Sequence, residues 1–181
     1  MSNARNLANL MGTNTLVPQS KVNLSLAASD MPTGSVLQAI YSEESSSVTG
    51  SSGNTYTTVA SASITPVSTS SKILINFQSV YSANGNAHFL GQILRGSTAI
   101  GSQTWYDNSV SMWAQYPTGS TPDSSASYDI NMMYLDSPST TSSTTYYIQF
   151  TPNNSVSWVV GARQTSDLGY YPRISLMEIA G

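Results

Sequence analysis

Lys72-Ile73-Leu74-Ile75-Asn76-Phe77-Gln78-Ser79-Val80-Tyr81 is the stretch that decides the fold class. Successive side chains of a strand point to opposite faces, so Ile73, Ile75, Phe77 and Tyr81 share one side. β-branched and aromatic side chains are also those that suit a pleated, half-buried surface. The stretch reads as one strand of an antiparallel sandwich.

The same two-residue period extends outward in both directions. Upstream, Tyr56, Thr58, Ala60, Ala62 and Ile64 alternate with Thr57, Val59, Ser61, Ser63 and Thr65. Downstream, Tyr128, Ile130, Met132 and Tyr134 share a face, as do Tyr146, Ile148 and Phe150. Ile174, Leu176, Met177 and Ile179 make the final strand apolar on both faces, which places it inside a sheet or at a subunit contact. Residues 36–41, 88–95, 110–116 and 156–160 are further strand candidates. Loops rich in Gly, Ser, Pro and Asn separate them, notably 45–54 and 137–143. Many short strands without helical crossovers predict an all-β fold, an antiparallel jelly-roll-like β-sandwich over residues 35–181.

Residues 1–34 follow another pattern. Ala4, Leu7, Leu10 and Met11 fall at helical spacing after Ser2, a good cap, and before Gly12, a good terminator. A helix of two or three turns does not recover its nucleation cost in water, so its apolar stripe needs a surface to cover. Leu16 and Val17 lie in the extended stretch that follows, which closes at Met31-Pro32-Thr33-Gly34. The expectation is an attachment arm, a short N-terminal helix and then an extended segment, that binds its partner through Ala4, Leu7, Leu10, Met11, Leu16 and Val17.

Composition narrows the function. Only 8% of the 181 residues are charged, against roughly 25% in an average soluble domain, while Ser and Thr make up more than a quarter. Hydroxyls and amides carry no charge-desolvation cost when surfaces press together, so the chain suits close association between copies. A net charge of −3 with six scattered basic residues argues against a nucleic-acid partner, whose affinity comes from clustered Lys and Arg. No apolar run approaches the length of a membrane span and no secretory leader is recognisable, so the expectation is a soluble, unprocessed protein without membrane insertion. The chain has no cysteine, which removes disulfides and thiolate metal sites.

Catalytic constellations are missing from the sequence. His88 is the one histidine and sits in a strand pattern, and no P-loop, dinucleotide fingerprint or nucleophile elbow occurs. Gly50-Ser51-Ser52-Gly53 reads as a hairpin tip. Glu43 and Glu44 point to opposite faces of a strand end and cannot act as one acid–base pair. Asp123, Asp129, Asn131 and Asp136 offer oxygen ligands without the spacing of a calcium loop. The chain is therefore expected to be no enzyme, with no catalytic residue, no metal and no cofactor. Trp105, Tyr106, Trp113, Tyr116, Tyr170 and Tyr171 cluster near predicted turns, where rings pack at the rim of the sandwich or between subunits, with stacking on sugar faces as the alternative.

Three strings carry a family resemblance: Ile93-Leu94-Arg95-Gly96-Ser97-Thr98-Ala99-Ile100-Gly101, Leu135-Asp136-Ser137-Pro138-Ser139-Thr140-Thr141-Ser142-Ser143-Thr144-Thr145-Tyr146, and Ile174-Ser175-Leu176-Met177-Glu178-Ile179-Ala180-Gly181. With them, the C-terminal two thirds resembles the jelly-roll-like modules of fibre and decoration proteins of tailed bacteriophages. The opening Ala4-Arg5-Asn6-Leu7-Ala8-Asn9-Leu10 resembles the start of such proteins. The resemblance implies a homotrimer on the virion surface, made in the host bacterial cytoplasm and fixed through its arm to phage capsid or tail proteins. The short arm and the lack of a shaft favour a head decoration or short head fibre. A tail fibre or receptor-binding module that recognises a host surface glycan is the alternative.

Overall fold

The computed structural model describes residues 30–85, 87–104, 110–115, 126–163 and 169–181. The predicted helix and extended arm, with Ala4, Leu7, Leu10, Met11, Leu16 and Val17, lie outside the described residues. Residues Pro32–Gly181 form one compact unit.

The described strands are β1 (Val36–Glu43), β2 (Val48–Gly50), β3 (Thr57–Ile64), β4 (Lys72–Asn84), β5 (Phe89–Arg95), β6 (Thr98–Ile100), β7 (Gln103–Thr104), β8 (Val110–Ser111), β9 (Trp113–Gln115), β10 (Tyr128–Asp136), β11 (Thr144–Pro152), β12 (Ser157–Val160) and β13 (Arg173–Ile179). All pairings between them are antiparallel. In the first sheet β4 is central: β10 lies on one side, and β13 and β12 share the other, leading out to β1 and β2. The second sheet runs β3-β11-β5-β6, with β9 on the far half of β5.

These pairings nest. β1 pairs with β13, β3 with β11, β4 with β10 and β5 with β6. Nested pairs of this kind are one long antiparallel hairpin, and rolling that hairpin up gives two facing sheets: the jelly-roll sandwich. The expected all-β fold is the observed one.

Core positions follow the predicted alternation. Ile73, Ile75, Phe77, Tyr81, Ile130, Met132, Ile174 and Leu176 of the first sheet face Ala60, Ala62, Ile64, Phe89, Ile93, Tyr146, Ile148 and Phe150 of the second, all buried. Phe89 is an aromatic hub: its ring stacks on Tyr81 at 4.4 Å and on Phe150 at 5.7 Å, and meets Trp158 edge-on at 5.7 Å. Each such pair is worth about 0.5–1.5 kcal/mol beyond area burial. Gly91 is the close-approach point beside it. A Cβ there would sit 2.4 Å from the Phe150 ring, so only glycine lets β5 and the β11 side chain meet.

Three sequence expectations need correction. A register shift between Ile148 and Gln149 interrupts the pairing of β11 with β3, so Ala60 opposes Ile148 but Thr58 opposes Gln149. Thr58 therefore leaves the face of Ala60 and accepts a hydrogen bond from Gln149 Nε2 at 3.1 Å on the exposed side. An extra residue at a bulge reverses the parity of everything before it. Residues 45–54 are no plain loop, because β2 lies among them and pairs with β12. The 110–116 candidate is two short strands, β8 and β9, with Met112 between them.

Two buried carboxylates organise the sandwich, and one of them joins its two sheets. Asp136, at the end of β10 in the first sheet, accepts from Arg95 Nη1 at 3.0 and 3.1 Å and from the Tyr146 hydroxyl at 2.7 Å. Both donors belong to the second sheet, so this is a clamp between layers. Burial, and then the hydrogen bond to Asp136, push the Tyr146 phenol far above its ordinary range. Glu178 is fully buried in β13, a strand whose sequence reads as apolar on both faces. It accepts from Gln38 Nε2 and from the backbone N–H of Val67 at 2.8 Å. Burial alone would raise its pKa, but these hydrogen bonds, led by that from Gln38, outweigh it and hold the group below the ordinary carboxylate range.

Candidate functional site

The outer face of the first sheet is built from the side chains that alternate with the core. Registers of β1, β13, β4 and β10 place them in cross-strand rows. One row is Ala39, Met177, Leu74 and Leu135. The next is Tyr41, Ser175, Asn76 and Met133. Ile179 lies between Val36 and Lys72 at one end, and Glu43, Arg173, Gln78 and Asn131 form the row at the other. Met133 is 68% exposed, Tyr41 63%, Val36 53% and Leu135 48%. Such a concentration of exposed apolar side chains in adjacent rows is unusual on a monomer, where exposed apolar groups are normally scattered.

A hydrogen-bonded ion pair stands at one end of this face. Arg173 Nε and Nη2 each lie 3.1 Å from Glu43 Oε1, and the Tyr41 hydroxyl donates to Glu43 Oε2 at 2.9 Å. The hydrogen bond from Tyr41, and next that from Arg173, lower the Glu43 pKa, while Tyr41 is raised by the same bond. All three groups are substantially exposed, so water screens them and the cluster adds little to stability.

Next to it, the chain leaves the sheet between β12 and β13. Gly161 donates its N–H to the Val80 carbonyl at 2.8 Å and turns at φ +94°, a conformation that favours glycine. A bridge between Ala162 and Gly169 narrows the excursion. The chain returns through Tyr170, whose carbonyl accepts from Ser79 Oγ at 3.0 Å, and Pro172, whose carbonyl accepts from the Glu44 N–H at 3.0 Å. Tyr170 and Tyr171 are thereby held at the surface with a groove on either side. One, of about 680 Å³, is lined by Ser46, Ser47, Thr49, Ser51, Arg163 and Tyr171, among others. The other, of about 550 Å³, includes Gln78, Asp129, Asn131, Tyr170, Tyr171 and Arg173.

Of the aromatics singled out in the sequence, Tyr170 and Tyr171 sit at this rim, 51% and 36% exposed. Trp113 belongs to β9, whose backbone pairs with β5 at Gly91. Trp105, Tyr106 and Tyr116 lie outside the described residues, as does Asp123. Alternation puts Asp129 and Asn131 on the outer face and Asp136 inside with Arg95, so these oxygens do not converge. Among the described residues no group of three His, Asp or Glu side chains could hold a metal. His88 is half-buried just before β5, where its backbone N–H donates to Asn153 Oδ1 at 2.8 Å.

Of the apolar side chains in these rows the sequence singles out only Met177 and Ile179, in a final strand expected inside a sheet or at a subunit contact. Their signal is present in it: Met132-Met133-Tyr134-Leu135 is apolar at both parities, as is Ile174 to Ile179.

No family model matches the chain, and no curated protein does. Among solved structures, a chain from the structure of infectious bursal disease virus, Gx strain, is similar over 82% of this chain at 11% identity, with a TM-score of 0.30. This chain spans 36% of that chain's length. A likeness of that degree carries no weight for fold or role.

Proposed function

We propose that this protein is a non-enzymatic structural subunit of a tailed-bacteriophage particle, a head decoration or short head fibre held by residues 1–34. The observation that carries the reading is a jelly-roll sandwich that leaves Val36, Tyr41, Met133 and Leu135 exposed on one sheet face, with half-buried Leu74, Met177 and Ile179 between them. A protein that works alone in solution gains nothing from that face, whereas a subunit covers it on assembly. The low charge and the family-typical strings at 93–101, 135–146 and 174–181 support the same assignment.

Affinity-tag gold labelling of intact particles tests it. The tag is expected on the head surface. Deleting residues 1–34 is expected to leave a folded module that no longer joins the particle. Particles without label, or normal incorporation of the truncated chain, overturn the particle role and the arm role respectively.

The grooves beside Tyr171 favour a second reading, a glycan-binding module. Serine and threonine hydroxyls next to an exposed ring are the groups that hold a sugar face. A saturable signal on a glycan array that disappears in Tyr171→Ala would support it, and no saturable signal would remove it.

A further inference from the structure

We infer that the outer face of the first sheet is where one copy of this chain packs against another. The inference rests on the reading of the chain as a structural subunit of a particle and names the surface on which copies meet.

Size bounds the contact. Four strands about 4.8 Å apart, crossed by four rows about 6.8 Å apart, span roughly 14 by 20 Å between the outermost positions. With its side chains, this is a contact at the small end of the specific range, below the ~800 Å² that each partner gives to a standard interface. Its centre is also of the right chemistry, because interface cores are apolar, rich in Met and aromatic residues and poor in charge.

Charge argues for a second copy as the occupant. The rows of Leu74 and Asn76 hold no ionisable side chain other than the Tyr41 phenol, and that hydroxyl is already bonded to Glu43 at the rim. An identical face can therefore meet them across a two-fold axis without burying an ion, a pairing distinct from the three-fold contact that the resemblance implies. A nucleic acid or an acidic partner finds no cluster of cations there. The charged side chains stand at two opposite ends: Lys72 beyond Ile179 at one, and Asp129 with the Glu43–Arg173 pair at the other. Each end thus has an oppositely charged counterpart on another copy. The rest of the chain is consistent with this economy, since only 8% of its residues are charged.

The absence of cysteine supplies a direct test. Met133→Cys and Leu135→Cys place single thiols in the face, and Thr98→Cys places one on an exposed strand of the other sheet. Light scattering on size-exclusion chromatography is expected to give a multiple of the monomer mass for the full-length chain. Maleimide labelling at Met133→Cys and Leu135→Cys is then expected to be slower by at least about tenfold in assembled than in diluted protein, with Thr98→Cys unaffected. The double variant Met133→Glu/Leu135→Glu is expected to weaken association by at least about a hundredfold while keeping its strand-type circular dichroism.

An assembly whose face thiols label as fast as Thr98→Cys overturns the inference and leaves self-association standing. So does a folded double variant that stays assembled. A wild-type chain that is monomeric at every concentration overturns the inference too, while the particle role remains with the gold-labelling result. If the double variant does not fold, the cysteine rates decide alone.

Discussion

Replacing Asp136 by alanine should cost the sandwich about 3 kcal/mol, and the geometry shows where that figure comes from. The carboxylate is 5% exposed and receives the Tyr146 hydroxyl at 2.7 Å and Arg95 Nη1 at 3.0 and 3.1 Å. Removing it strands the Tyr146 hydroxyl, on a residue with no exposure, at a cost of about 1–3 kcal/mol for an unsatisfied buried donor. The bond from Arg95 involves charge and in full burial would add about 1.5–3 kcal/mol. The Arg95 side chain is 33% exposed, however, so it regains water and only part of that is lost. Breaking a fully buried pair would approach about 3–5 kcal/mol, and partial exposure places this one at the lower edge.

Urea unfolding followed by circular dichroism, at one fixed protein concentration, measures the effect. In a domain of this size, about 3 kcal/mol lowers Tm by roughly 6–12 °C. A double-mutant cycle sharpens the test. Tyr146→Phe alone should cost about 1 kcal/mol, but in the Asp136→Ala background it should cost nothing or stabilise, because the stranded hydroxyl is gone. A loss under about 0.5 kcal/mol in Asp136→Ala, or additivity of the two substitutions within about 0.3 kcal/mol, would refute the clamp.

Gly91→Ala should destabilise by about 1–3 kcal/mol through overpacking, since the new methyl would lie 2.4 Å from the Phe150 ring; a thermal melt equal to wild type contradicts the close approach. Phe89→Ala should cost about 3–5 kcal/mol, seen as a lower urea midpoint, because it empties the centre of the Tyr81, Phe150 and Trp158 group. Glu178 has a folded pKa below its unfolded one, so its contribution is present above the unfolded value of about 4.3 and disappears as pH falls through the folded value. Glu178→Gln should therefore be less stable than wild type at neutral pH and show a flatter loss as pH falls below the unfolded carboxylate range; parallel pH profiles for the two proteins would exclude that role.

Much of the fold was legible before the structure. Ile73, Ile75 and Phe77 announce a buried face because side-chain direction in a strand is a local property, set by the backbone of that strand alone. The same locality explains the miss at Thr58. A bulge opposite Gln149 is a relation between two strands, and a single strand's sequence carries no mark of it. Within the candidate site, Tyr170 and Tyr171 could be picked out as aromatics beside a turn. For Leu74, Met133, Leu135 and Met177 the sequence marks strands apolar at both parities, but not that they share one face, because those strands lie far apart in sequence.

The sequence by itself determined the all-β character of residues 35–181, most of their inward-facing positions and a low content of charge, since composition and two-residue period are read without knowing what lies next to what. Tertiary structure alone decided the nested pairing of β1 with β13 and β4 with β10, the burial of Glu178 in a strand that looked purely apolar, and the Asp136 clamp between sheets. Each depends on residues brought together across tens of positions, from Asp136 to Arg95 or Glu178 to Gln38. The energy of such contacts is set by burial and geometry at the meeting point, and only the folded chain has a meeting point.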